Sequence, residues 1–169
     1  MNLKLGTAKR ILILGDAGRG KTTLAQKLSK KLKIPFHSTD DFYWKTKFSE
    51  RQDMEESIDE ISKVYSGNEW IVEGTTRHLV EPGFEKAHLI VYPPFRNVLS
   101  QWWELIKRHR TRKNETVSDL IKLLRHVLYK RHGLGYKRGE SKILELLQPF
   151  RDKLIVLRSH KEMDEFAEG

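Results

Sequence analysis

The chain contains no cysteine. Disulfide scaffolds, cysteine-built zinc sites and thiol catalysis are excluded together. Seven histidines are present but scattered, with no His-x-x-x-His or His-Glu-x-x-His pair. They read as surface or core residues rather than ligands of a protein-built metal site. Long apolar runs are also missing. Residues 11–14 and 154–157 fall far short of the ~20 residues that a bilayer span needs, and nothing resembles a signal peptide. The expectation is a soluble, cytoplasmic protein. No repeat, low-complexity tract or linker divides the 169 residues, so residues 1–169 are expected to form one domain with its own core. The hydrophobic content of 38% is modest, but its clustering argues against disorder.

Charge is unevenly spread. Residues 107–138 hold eleven lysines and arginines against Glu115 and Asp119, a surplus equal to the net +9 of the whole chain. A patch of this kind seeks phosphates, whether on a nucleotide, a phosphorylated substrate or nucleic acid. We treat the segment as a basic lid or insertion within the one domain.

Short apolar runs alternate with helical patterns. Strands are predicted at residues 10–14, 34–37, 69–73, 88–92 and 153–158. Between them, Leu24, Leu28 and Leu32 share one helical face, as do Met54, Ile58, Ile61 and Val64. Further helices are predicted from about Asn97 into the basic segment, over 117–131 with Gly133 as the stop, over 141–150, and from Lys161 onward. Such alternation predicts an α/β fold, a parallel sheet of about five strands with helices on both faces.

Residues 15–22, Gly15, Asp16, Ala17, Gly18, Arg19, Gly20, Lys21 and Thr22, fit the pattern G-x-x-x-x-G-K-[ST] directly after the first strand and before a helix. Each position has a physical reason. Glycines let the backbone N–H groups wrap phosphates, and the helix that follows offers its positive end. Lys21 would reach the β- and γ-phosphates, and Thr22 would supply a hydroxyl to Mg²⁺. Arg19 is a candidate phosphate contact or a solvent-facing side chain, and Thr23 extends the candidate cofactor-binding run. ATP and Mg²⁺ are the expected cofactors.

In parallel sheets of this kind, ligands gather beyond the carboxyl ends of the strands. Asp40 and Asp41 follow the second strand and Glu73 ends the third. Phosphoryl transfer uses one carboxylate to orient or deprotonate the attacking hydroxyl and another to hold the water shell of Mg²⁺. Asp40 is the candidate catalytic carboxylate, with Asp41 as the second choice, and Glu73 the candidate metal partner. The competing reading of Asp40 and Asp41 is helix capping. In the basic segment, Arg108, Arg110 and Arg112 are read as a clamp on transferred or nucleotide phosphates, with Arg108 catalytic and Arg112 cofactor-binding. Lys122, Arg125 and Lys130 are read as a solvated face, and Trp102 and Trp103 as packing aromatics.

These motifs resemble the adenylate-kinase-like branch of P-loop kinases, and most closely the small bacterial DNA topology modulation proteins. The resemblance rests on Ile34, Pro35, Phe36, His37, Asp40 and Trp44, on residues 70–74, on the 117–129 helix and on residues 154–162, and so covers most of the chain. It implies a P-loop NTPase sheet of strand order 2-3-1-4-5, with Ser159, His160 and Lys161 beside the adenine. Residues 73–77 match an Asp-Gly-x-x-Arg segment whose arginine, here Arg77, holds the acceptor phosphate. Glu73 stands where that segment has aspartate. Neither a long nor a zinc-binding lid is found, so adenylate kinase activity itself is not implied.

The function expected is transfer of the ATP γ-phosphate to a small-molecule acceptor such as a nucleoside or nucleotide. An ATPase without an acceptor is one alternative, and an ATP-dependent nucleic-acid-binding regulator the other. No helix-turn-helix or zinc-finger pattern supports the last.

Overall fold

The computed structural model describes residues 3–16, 18–46, 50–94, 102–103, 105–107, 109, 116–131 and 143–169. Strand β1 (Arg10–Leu14) is the centre of a five-stranded parallel sheet. Its neighbours are β5 (Trp70–Gly74) and β6 (Leu89–Tyr92), with β2 (Phe36–Ser38) outside β5 and β7 (Leu154–Val156) outside β6. The two remaining strands, β3 (Trp44–Thr46) and β4 (Glu50–Arg51), form a separate antiparallel pair. Counting only the strands of the main sheet, its order is 2-3-1-4-5, as expected.

Both faces of the sheet are covered, which explains why β1 is apolar at every buried position. Ile11 and Ile13 pack with Leu24, Ala25 and Leu28 of helix α2 (Lys21–Leu32) and Phe166 of the C-terminal helix His160–Glu168. Leu12 and Leu14 turn to the opposite face, against Ile61 and Tyr65 of α4 (Met54–Tyr65) and Leu79 and Phe84 of α5 (Arg77–Lys86). The Tyr65 hydroxyl donates to Leu79 O at 2.9 Å, and burial pushes its pKa above the ordinary tyrosine range. Asp53 starts α4 by accepting from Glu55 N and Glu56 N at 2.9 and 3.2 Å.

Several boundaries differ from the sequence pattern. Leu3–Thr7 (α1) and α5 were not foreseen, and the helix that the capping reading placed after Asp41 already begins at Asp40, as α3 (Asp40–Tyr43). Pro82 lies inside α5 and masks it, because proline lacks the N–H a helix interior uses. Within the helix expected over 141–150, the described residues form a short helix, Ile143–Leu146, followed by a 3-10 turn over Gln148–Phe150. Pro149 interrupts it for the same reason. The Val117–Arg131 helix is present, while Gly133 lies outside the described residues. Trp103 is 63% exposed rather than packed. Of the helix expected from about Asn97, residues 102, 103, 105–107 and 109 are helical, and the rest lie outside the described residues.

One contact fixes where the chain leaves β2 for the functional end of the sheet. Thr39 is fully buried, and its N–H donates to Glu73 O at 2.8 Å. Its side chain lies on Gly74, where an added Cβ would fall 2.0 Å from Thr39 Oγ1 and 2.4 Å from Cγ2. Gly74→Ala is therefore expected to destabilise the protein by about 3 kcal/mol through overpacking, read as a lower midpoint in urea unfolding. A wild-type midpoint would mean that Thr39 yields without cost.

Candidate functional site

Register brings the functional side chains to one end of the sheet. Ile13 pairs with Glu73, Ser38 pairs with Glu73, and Leu14 pairs with Gly74. The phosphate-loop motif starts one residue beyond Leu14, and Thr39 and Asp40 start one residue beyond Ser38. Gly15, Gly18 and Gly20 have φ of 146°, 78° and 82°, values that side-chain-bearing residues rarely adopt. Gly20 stands at the N-cap of α2 with no side-chain cap, and no acidic residue lies in the first turn. The first N–H groups of the helix are thus left without a competing carboxylate, as an anion site requires.

Lys21 is 8% exposed. Its Nζ donates to Asp16 O at 3.2 Å and lies 3.9 Å from Glu73 Oε2. Burial pushes its pKa below the ordinary lysine value, and the carboxylates of Glu73, Asp40 and Asp16 oppose that shift. Glu73 is 5% exposed. Its Oε1 accepts from Thr22 Oγ1 at 3.0 Å and from Ser38 Oγ at 2.8 Å. A buried carboxylate facing an ammonium and two hydroxyls is compensated rather than stranded. Ser38 was missed by motif reading. The signal for it was its place at the carboxyl end of a strand beside the loop.

Asp40 and Asp41 are the first two residues of α3, and the cap position belongs to Thr39. The capping reading of the two aspartates is thereby corrected. They part company in the fold. Asp40 is half-buried and acts electrostatically on Lys21, whereas Asp41 is exposed and acts on His37. His37 is pushed to a lower pKa by burial, with Asp41 opposing.

Other candidates are placed differently. Arg19 is 1% exposed, which corrects the solvent-facing reading, and its guanidinium is turned to the end of β6. Nη1 donates to Pro93 O at 2.7 Å, Nη2 approaches Asp16 Oδ2 at 3.4 Å, and the guanidinium sits 4.5 Å from the Tyr92 ring centroid. Arg77 starts α5 and pairs with Glu81 at 2.6 Å one turn along. Ser159 caps the C-terminal helix, accepting from Glu162 N at 3.1 Å, while Arg158 N donates to Glu162 Oε2 at 2.7 Å. His160 and Lys161 open that helix, and Lys161 lies 3.8 Å from Glu165. The helix borders the loop, since an added Cβ at Gly20 would meet Met163 Cε at 3.4 Å. Thr23 is exposed on the first turn of α2. Ala17, Arg108, Arg110 and Arg112 lie outside the described residues.

No family model matches the chain. A segment of 67 residues is 39% identical to the uncharacterized protein YqaC of Bacillus subtilis (strain 168), and it spans 39% of this chain and 38% of that protein. Solved structures agree over far more of the chain. A shikimate kinase from Acinetobacter baumannii in complex with shikimate has a TM-score of 0.50 and 16% identity, over 89% of this chain and 94% of that one. A gluconokinase from Sinorhizobium meliloti 1021 has a TM-score of 0.50 and 14% identity, over 94% and 87%. At such identities the likeness is one of fold, which this chain shares with those two kinases.

Proposed function

We propose that this chain is a kinase that transfers the γ-phosphate of ATP, with Mg²⁺, to a hydroxyl of a small molecule. One observation carries the reading: buried Lys21 and Glu73 are joined with half-buried Ser38 and exposed Thr22 in one network at the mouth of the glycine loop, with Asp40 beside it. The fold likeness to a shikimate kinase and a gluconokinase supports it. So does the similarity of the motifs to the DNA topology modulation proteins, whose sequences are kinase-like throughout.

The residues fit both cofactors. The open N-terminus of α2 and the glycine loop suit a polyphosphate. The Thr22 hydroxyl and the Glu73 carboxylate are hard oxygen donors 3.0 Å apart, suited to Mg²⁺ or its water shell. When bound, Mg²⁺ would neutralise charge on the phosphate oxygens. Lys21 would exchange Asp16 O for the β- and γ-phosphates. Asp40 would orient the acceptor hydroxyl and receive its proton as the new O–P bond forms and the bond to the ADP oxygen breaks. Arg77, Arg108 and Arg112 are proposed on the acceptor and nucleotide phosphates, and Ser159, His160 and Lys161 along the adenine. The protein is proposed to work in the cytoplasm as one domain. Among the described residues, no helix is long and apolar enough to cross a membrane.

The test is a transfer screen with ATP, Mg²⁺ and pooled nucleosides, nucleotides and sugar acids, read by mass for a phosphorylated product. ADP formation without a product would favour an ATPase. Tight, ATP-dependent nucleic-acid binding at ~150 mM salt, where purely electrostatic binding fades, would favour the regulator.

Glu73→Gln is expected to raise the Mg²⁺ concentration for half-maximal transfer by about 10-fold or more, as loss of a supporting ligand does. An unchanged Mg²⁺ requirement would remove Glu73 from the metal site.

A further inference from the structure

The glycine loop carries an acid where a polyphosphate is to be held. Asp16 follows Gly15 directly, and its carbonyl already holds Lys21. A carboxylate so placed repels a triphosphate unless its charge is met. The charge is met by Arg19, which approaches Asp16 Oδ2 at 3.4 Å, with side-chain exposures of 1% for Arg19 and 20% for Asp16. The guanidinium is anchored independently of Asp16, by the hydrogen bond to Pro93 O and by the Tyr92 ring, both at the end of β6. Gly15 lies close over the arginine stem, where an added Cβ would be 2.8 Å from Arg19 Cδ. The arginine stem is thus packed against the Gly15 backbone, which leaves no room for a side chain between them.

We infer that Arg19 is a positioning residue that does not touch phosphate: it ties the glycine loop to the end of β6 and cancels the charge of Asp16, so that the loop accepts a triphosphate. This rests on the triphosphate reading of the site. It differs from the usual role of an arginine near phosphates, because the cation acts on the loop's own acid. The charges also act on Lys21, whose ammonium Asp16 favours and Arg19 disfavours.

The experiment is ATP–Mg²⁺ calorimetry on wild type, Asp16→Asn, Arg19→Met and the double variant, with melting of each free protein in parallel. Arg19→Met, which keeps an unbranched stem over Tyr92, is expected to weaken ATP by about 30-fold, the effect of removing one positive charge several ångströms away at intermediate dielectric. Asp16→Asn alone is expected to tighten ATP by about 3-fold or more, because part of the carboxylate's repulsion survives screening. The double variant is expected to return most of the affinity lost in Arg19→Met. A merely structural arginine predicts the opposite, since removing Asp16 would not repair the loop. An equally weak double variant, or wild-type affinity in Arg19→Met, would overturn the inference and leave ATP binding standing. If Arg19→Met does not fold, Asp16→Asn decides alone, and unchanged or weaker ATP binding in it overturns the inference. Failure of wild type to bind ATP removes the triphosphate reading and this inference together.

Discussion

Lys21→Met is expected to weaken ATP binding by about 100-fold or more, the loss of charge-assisted bonds to two phosphates. In the free protein, Lys21 Nζ is held by one carbonyl and by a carboxylate at 3.9 Å, the long limit of an ion pair. Methionine fills the same space but leaves Glu73 buried against two hydroxyls with no ammonium. Removing one member of a buried pair costs about 3–5 kcal/mol. The free Lys21→Met protein should therefore melt below wild type. Adding Glu73→Gln should restore much of the melting temperature and none of the ATP affinity. Calorimetry and melting of the three proteins check this. Wild-type ATP affinity in Lys21→Met would take the loop out of the nucleotide site.

Asp40→Asn is expected to leave ATP affinity within a few-fold of wild type and to lower transfer by about 10²- to 10⁴-fold, the usual contribution of a positioned general base. The substitution keeps shape and removes charge. Asp40, half-buried and acting on Lys21, is the aspartate on the loop side of α3, whereas Asp41 is exposed and acts on His37. Asp41→Asn should therefore change transfer little. Single-turnover rates on an acceptor found by the screen decide the matter. If the two variants behave the other way round, the catalytic assignment moves to Asp41. If neither matters, the kinase reading gives way to an ATP-dependent binding protein.

The parts of this site that were legible in sequence are those whose chemistry depends on backbone spacing. The loop motif is local, because glycines at fixed offsets set its shape, and the strand before it and the helix after it each have their own period. The sheet order followed from the resemblance rather than from the pattern itself, since pairing partners leave no mark in a single strand. What stayed hidden depends on side chains meeting across long separations. Ser38 joins Glu73 from 35 residues away, and Arg19 reaches Pro93 from 74. Neither residue belongs to a motif for the role it fills. A buried arginine in a glycine loop looks, in sequence, the same as a solvent-facing one. Helix α5 was hidden for a different reason. Pro82 contradicts helical propensity, and the packing of Leu79, Val80 and Phe84 into the core overrides it.

The central place of β1 has a consequence for how the chain is made. Residues 10–14 need two partners, and these end at Gly74 and Tyr92. At about 5–20 residues per second of synthesis, the roughly 80 residues from the end of β1 to the end of β6 take on the order of 4–16 s to appear. Until Gly74 has appeared, Ile11, Leu12, Ile13 and Leu14 wait with an open edge on each side, a four-residue apolar template for pairing with other nascent chains, and the edge that β6 covers stays open until Tyr92. The strand that launches the phosphate loop is thus the segment most in need of chaperone cover at the ribosome, and charges on the solvent side of α2 cannot protect it until both of its neighbours have arrived.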